Sequence, residues 1–271
     1  MMRRPEFRAR KNGVPILKDD DIDKDVIVLL HDYNPELLEK PQALDIEDFA
    51  ERFIGFGIHY DYLSNNGCIW GTMVFNNRLI LVYDPEANSI DYHPVDAGTI
   101  VVDNTLLEGP TEYALRSTIA HECGHGLYHP QIYKEDDNQL SLFPVNTSNK
   151  LAVSVCRKED INGSAGARKE LITDHDWIEH HAKYFSASLL MNKAVMMKTY
   201  GNKEWRRKFL FENGSGIADN NLVAQVARTF NVSPKSARIR LSKLGLLFEQ
   251  NEFAHANIGY EMPMFFHEVF I

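Results

Sequence analysis

The stretch that constrains this chain most is STIAHECGHGLYHP, residues 117–130. Its centre, His121-Glu122-Cys123-Gly124-His125, has the H-E-x-x-H spacing. On a helix, positions four apart share a face, with Cβ atoms about 5–6 Å apart. Two imidazoles so placed can reach one Zn²⁺ at about 2.0–2.1 Å. Glu122 lies about 100° round the helix from His121. That offset suits a base acting on metal-bound water better than a ligand. The motif asks two things of a fold. It needs a helix, here from roughly Thr111 to Tyr128 and ended by Pro130. It also needs a second element to bring a third ligand, because a catalytic zinc keeps three protein ligands and one open position.

Within the first helix, Leu115 and Ile119 lie off the histidine face. Ala114 and Thr118 lie on it and are expected to leave it open to a ligand. Cys123 points away from both histidines and reads as a buried thiol. Gly124 and Gly126 are poor helix formers that permit another element to pack closely. His129 falls just past the helix end without an assigned role. The second element is a helix expected from about Asp174 to Met197, with Thr173 and Asp176 as a capping box. At 100° per residue, Ile178, Ala182, Phe185 and Leu189 form its buried stripe. His180 falls nearly opposite and is expected in solvent. Glu179 and His181 flank the stripe, and either could reach a metal between packed helices; geometry favours Glu179 only modestly. Ala182 and Ser186 leave room for the first helix to approach.

The elements around this pair are simpler. Val26, Ile27, Leu29 and Leu30 give a helix face between Asp23 and Tyr33, and LDIEDFAERFIGF (44–56) is a second helix capped by Asp45. Four strand-like pieces follow: GIHYDYL, CIWGTMVF, RLILVYD and GTIVVD. Asn76-Asn77 between the middle two reads as a hairpin turn. From Pro130 to about Thr173 the chain is polar and too long for a structureless loop, so small elements bordering a site are expected. RKEDINGSAGARKE within it reads as mobile. Helices, then strands, then two long helices make an α+β order, not an alternating βαβ one.

The 271 residues allow one or two domains with a real core. No apolar run approaches the roughly 20 residues of a membrane helix. The basic start, MMRRPEFRARKNG, lacks the apolar run of a secretory signal and reads as flexible. Cys68, Cys123 and Cys156 are too few and too scattered for a disulfide framework, so a cytoplasmic protein with reduced thiols is expected. The net charge of −9 argues against whole-molecule affinity for nucleic acid. Against that background residues 219–247 are basic. NNLVAQVARTFNVSPKSARIRLSKLGLL reads as helix, turn, helix: Val223, Val226, Ala227 and Phe230 pack, Ser233 caps and Pro234 opens the second helix. Arg228, Lys235, Arg238, Arg240 and Lys243 could contact DNA. The acidic balance elsewhere weighs towards packing on the rest of the chain instead. An aromatic tail follows.

GTIVVDNTLLEGPTEYALRSTIAHECGHGLYH followed by WIEHHAKYFSASLLM resembles the ImmA/IrrE family of metallopeptidases, whose pattern is a strand, then a helix with H-E-L-G-H, then a helix near E-x-x-A-N-x-F-A-x-x-L-L-M-P. The earlier DYNPELLEKPQALDIEDFAERFIG is similar to the start of many such proteins. The resemblance spans roughly residues 30–247. It implies a zincin-like α+β metallopeptidase domain (1–215) with a small antiparallel or mixed sheet and two metal-bearing helices. A helix-turn-helix-like segment and tail follow (216–271). It implies Zn²⁺ on His121, His125 and Glu179, with Glu122 as catalytic base. It further implies a cytoplasmic endopeptidase whose protein substrate is a helix-turn-helix repressor, relieving repression in stress or in mobile elements. Cys123 stands where Leu is usual, Lys183 for Asn, Ser186 for Ala and Asn192 for Pro; none is a ligand or the base. The competing reading is a DNA-binding regulator with a structural or vestigial zinc, whose fourth ligand could be Cys156 or His129.

Overall fold

Three aspartates, Asp19, Asp20 and Asp21, open the first helix, α1 (Asp19–Tyr33), where the helix dipole favours negative charge. Ile22, Val26, Leu29 and Leu30 recur at helical spacing and are buried. The computed structural model describes residues 5–108, 112–133, 156–158, 171–214 and 217–248. After the short α2 (Glu36–Glu39), the Asp45 side chain caps α3 (Ile46–Asp48), as expected. The chain then loosens into a π-helical turn, Phe49–Ile54, closed by Gly55 at φ 88°.

The sheet is mixed. β1 (Gly57–Asp61) runs parallel to β5 (Thr99–Asp103), and β2 (Ile69–Val74) pairs antiparallel with β5 and with the short β6 (Cys156–Arg157), giving the order β1-β5-β2-β6. Asn76-Asn77 is not a hairpin turn. β3 (Arg78–Asp84) leaves the sheet and pairs with β4 (Ser89–Val95) in a separate two-stranded ribbon. The asparagines serve other bonds: Asn76 Nδ2 donates to the Tyr133 carbonyl at 3.1 Å and Asn77 Oδ1 accepts from the Ala97 amide at 2.7 Å. The true turn lies at Asn88, whose φ of 50° suits asparagine.

α4 (Glu112–Tyr128) carries the histidine motif, and α5 (Pro130–Tyr133) starts on Pro130. α6 (Asp174–Leu190) begins with the expected Thr173–Asp176 capping box. It stops short of Met197: Asn192 accepts from the amides of Ala194 and Val195 and starts a new helix, α7 (Lys193–Tyr200). α8 (Lys203–Asn213) follows, then α9 (Ala218–Phe230) and α10 (Pro234–Lys243), with Ser233 capping and Pro234 in the first turn. α4 packs on the sheet on one side and on α6 on the other. One hydrophobic cluster runs from Ile22 and Phe49 through Ile119 and Phe185 to Val226 and Leu241, so α9 and α10 share it. A smaller cluster, Val74, Ile80, Val82, Val95 and Val101, fastens the ribbon to the sheet. Among the described residues no helix is long and apolar enough to cross a membrane, and Cys68, Cys123 and Cys156 form no disulfide.

The N-terminal stretch is tied down from residue 5, against the expectation of a flexible start. Phe7 packs edge-on to Tyr128 at 5.7 Å, Arg10 pairs with Asp174 at 2.6 Å, and Val14 and Leu17 are buried. The polar stretch after Pro130 does hold small elements, α5 and β6. Most of RKEDINGSAGARKE and the whole aromatic tail lie outside the described residues.

A buried polar hub joins the first helix to the last. Asp23 on α1, 2 % exposed, accepts hydrogen bonds from Tyr184 Oη (2.9 Å), Ser188 Oγ (2.6 Å) and Arg240 Nη2 (2.7 Å). Arg240 is 1 % exposed and also donates to the Met191 carbonyl at 3.1 Å. Burial alone would raise the Asp23 carboxyl, but the Arg240 charge and the three donors hold it below its ordinary value. Removing one partner of such a pair leaves a buried charge alone, at a cost of about 3–5 kcal/mol. Asp23→Ala and Arg240→Ala should each lower stability by about that much in urea denaturation, whereas Asp23→Leu/Arg240→Met should lose less than the two singles added. Because the folded Asp23 is more acidic than an unfolded aspartate (about 3.9), its contribution is complete above that range and disappears as pH falls through the lower folded value. A wild-type minus Asp23→Leu/Arg240→Met stability difference that does not change on acidification contradicts this.

Candidate metal centre

α4 and α6 meet where neither carries bulk. A Cβ placed on Gly124 would lie 3.1 Å from Ala182 Cα and 3.2 Å from Phe185 Cβ. Ser186 Oγ donates to the Ser117 carbonyl at 3.1 Å across the same seam. Gly126 meets the Phe56 ring, where a Cβ would be 2.4 Å from Cζ. Both glycines thus permit close packing, as their positions suggested. Cys123 is fully buried in the main cluster, as expected of a core thiol, and burial pushes its pKa far up.

The seam sets three donors together. His121 Nε2 and His125 Nε2 are 3.0 Å apart. Glu179 Oε2 is 3.5 Å from His121 Nε2, and Glu179 Oε1 is 3.4 Å from His125 Nε2. Donors about 2.1 Å from a tetrahedral ion stand about 3.4 Å from one another. The three gaps therefore fit one shared ion. The histidine side chains are fully buried and that of Glu179 is 10 % exposed. Among the described residues His121 Nδ1 and Glu179 Oε2 have no hydrogen-bond partner, an orphaned state that a bound cation relieves at the carboxylate. Burial alone would raise the Glu179 carboxyl; the adjacent His121 and His125 imidazoles hold it well below the carboxylate range, so it stays ionised. Of the two flanking candidates on α6, the fold brings Glu179 into this group and turns His181 elsewhere.

At Ala114 and Thr118 the histidine face is covered and not open as expected. Both residues are buried, and Gly71 on β2 lies over the Thr118 methyl and Glu122 Cγ. A Cβ on Gly71 would be 2.5 Å from Thr118 Cγ2. Glu122 is fully buried between α4 and the sheet. His180 is not free in solvent: its Nε2 bonds Asp19 Oδ1 at 2.7 Å.

Three residues near the centre carried no clear sequence signal. His129 is fully buried, with Nδ1 3.0 Å from His125 Nδ1 and Nε2 3.5 Å from His181 Nδ1. A cation on His125 Nε2 makes its Nδ1 the N–H donor, so His129 Nδ1 accepts and its Nε2 donates towards His181. Burial, reinforced by the neighbouring imidazoles, keeps His129 neutral; burial and His180 take His181 down to about 4. Tyr133 stacks on Phe75 at 4.7 Å, and its hydroxyl pKa is raised by burial and then by the charges of Glu179 and Glu122. Cys156, fully buried on β6, places its sulfur within 4.8 Å of ligand atoms of His121 and Glu122. The Tyr128 and Tyr184 hydroxyls donate to Asp25 (3.1 Å) and Asp23 (2.9 Å) on α1.

Glu179 also lines a groove of about 1660 Å³ with Leu17, Trp177, His180, Tyr184 and Lys243. No family model matches the chain, and no curated protein matches it.

Loss of an outer-shell partner of a metal-bound histidine weakens binding about 10–100-fold. His129→Ala is expected to weaken metal affinity by that factor in chelator competition. Unchanged affinity would reduce His129 to a packing role.

Proposed function

We propose that this chain is a zinc-dependent endopeptidase, similar to the ImmA/IrrE metallopeptidases, that hydrolyses a peptide bond in a protein. The observation that carries the proposal is the trio His121, His125 and Glu179, with donor gaps of 3.0, 3.5 and 3.4 Å, beside a buried Glu122. In this reading the α+β body is zincin-like. The bound ion would supply an activated water and polarise the scissile carbonyl. His121, His125 and Glu179 would hold it. Glu122 takes the water proton as the oxygen bonds to the carbonyl carbon. As the C–N bond breaks, Glu122 passes that proton to the leaving amine. In this reading Tyr133, whose hydroxyl pKa is raised by burial and then by the charges of Glu179 and Glu122, would donate to the oxyanion. The groove lined by Glu179 is larger than the roughly 300–1,000 Å³ of small-molecule pockets, which suits a polypeptide.

The substrate in this reading is a helix-turn-helix repressor, by resemblance to the family. The packing of α9 and α10 weighs against direct DNA contact by this chain. Of the five basic residues, Arg240 is buried on Asp23, and Lys243 lies 3.4 Å from Asp19 and over the Tyr184 ring. Arg238 binds Asn220 at 2.5 Å.

Glu122→Gln should keep the Zn²⁺ held by His121, His125 and Glu179 while peptide-library cleavage, read by mass spectrometry, falls about 10²–10⁴-fold; undiminished cleavage sinks the mechanism. Tyr133→Phe should lower kcat about 10²–10³-fold with KM little changed. A second reading, a closed structural zinc, draws on Cys156 lying beside His121. Cys156→Ser separates the two: a structural site loses affinity for zinc, and a catalytic one keeps both metal and cleavage.

A further inference from the structure

A second group of metal-binding side chains stands away from α4 and α6. His59 and Asp61 are two residues apart on β1 and so project from one face of the sheet. His93 comes from β4, in the separate ribbon. One atom of each, two imidazole nitrogens and a carboxylate oxygen, lies within 4.8 Å of the others. Asp61 Oδ2 sits between the rings, 3.6 Å from His59 Nε2 and 2.5 Å from His93 Nδ1. Asp61 Oδ1 accepts from the Tyr62 amide at 2.9 Å, which fixes the carboxylate with Oδ2 towards the rings.

Two further observations separate this group from a casual histidine–aspartate contact. The carboxylate is largely buried while both rings are half-exposed, with side-chain exposures of 12 % for Asp61, 50 % for His59 and 44 % for His93. The charge is thus held in the protein with its bonding partners reachable from solvent. The far nitrogen of His93, Nε2, lies 3.9 Å from Asp91 Oδ2. That gap is too long for a hydrogen bond, so Asp91 adds negative charge behind the ring, which favours a bound cation. The backbone around the group is also held, since the Tyr83 amide of β3 donates to the Tyr62 carbonyl at 2.7 Å just past β1.

We propose that His59, Asp61 and His93 form a second cation site for a divalent ion of the zinc type. His59 Nε2, Asp61 Oδ2 and His93 Nδ1 are its donors, and water completes its shell. The His59–Asp61 gap already matches two ligands of one tetrahedral ion, about 3.4 Å apart. The His93–Asp61 gap reaches that value when the half-exposed His93 ring withdraws by about an ångström. Two imidazoles and one carboxylate are borderline donors that favour zinc, cobalt or nickel over magnesium or calcium. The ion would bridge β1 and β4 and pin the β3–β4 ribbon to the sheet. The site is independent of any role for His121, His125 and Glu179.

The test uses the full chain, stripped with a chelator and titrated with Zn²⁺ or Co²⁺. Wild type should bind two equivalents. His59→Ala and His93→Ala, both at half-exposed positions, should each bind one, and Glu179→Ala should keep the ion at His59, Asp61 and His93. In Glu179→Ala, added Zn²⁺ should slow amide exchange in β3 and β4 and raise the Tm; in Glu179→Ala/His93→Ala it should do neither. A His59→Ala or His93→Ala chain that binds as many ions as wild type, or a Glu179→Ala chain that binds none, overturns the site and leaves a hydrogen-bonded pair.

Discussion

The close approach of α4 and α6 at Gly124 and Ala182 is the contact on which the candidate metal centre depends. Side chains reach only a few ångströms from a helix. Glu179 can stand 3.4–3.5 Å from both histidine nitrogens only because the two backbones nearly touch one turn away. A glycine in a helix interior costs about 1 kcal/mol relative to alanine. Here that cost accompanies a seam with no room for an ordinary side chain. The same seam excludes water from His121 and His125, and charge–donor interactions strengthen in such a dry setting.

Much of this was legible from residue types at fixed spacing. His121 and His125 had to share a face, Thr173 and Asp176 had to start a helix, and Ile178, Ala182, Phe185 and Leu189 had to be buried, because each statement concerns neighbours along one element. What failed to show was what tertiary structure brings together. His129, Tyr133 and Cys156 reach the centre from a helix end, a single helical turn and a two-residue strand, none of which has a periodicity to read. Helical projection favoured Glu179 over His181 only modestly until the position of α4 was known.

The strands show the same division. β4, SIDYHPV, is exposed over most of its length and contains Pro94, so neither alternation nor apolar content marks it. Missing it left β3 without its partner and made Asn76-Asn77 look like the natural turn. Likewise the charges of α9 and α10 look alike in sequence, but Arg240 is buried against Asp23 and Arg228 faces solvent. A row of basic residues is therefore not one surface. Some of its members are structural ions whose counter-charge lies more than two hundred positions earlier in the chain.

Gly71 and Thr118 carry a consequence for how this sequence can change. The point where a Cβ of residue 71 would sit and the point where the Thr118 methyl does sit are 2.5 Å apart, so the two side chains claim one volume. Residue 71 can gain a side chain only if residue 118 first loses that methyl, as a Thr118→Ser change would allow, so a change at 71 waits on a change at 118. Two sites 47 positions apart thus behave as a single heritable unit, linked by exclusion and not by attraction.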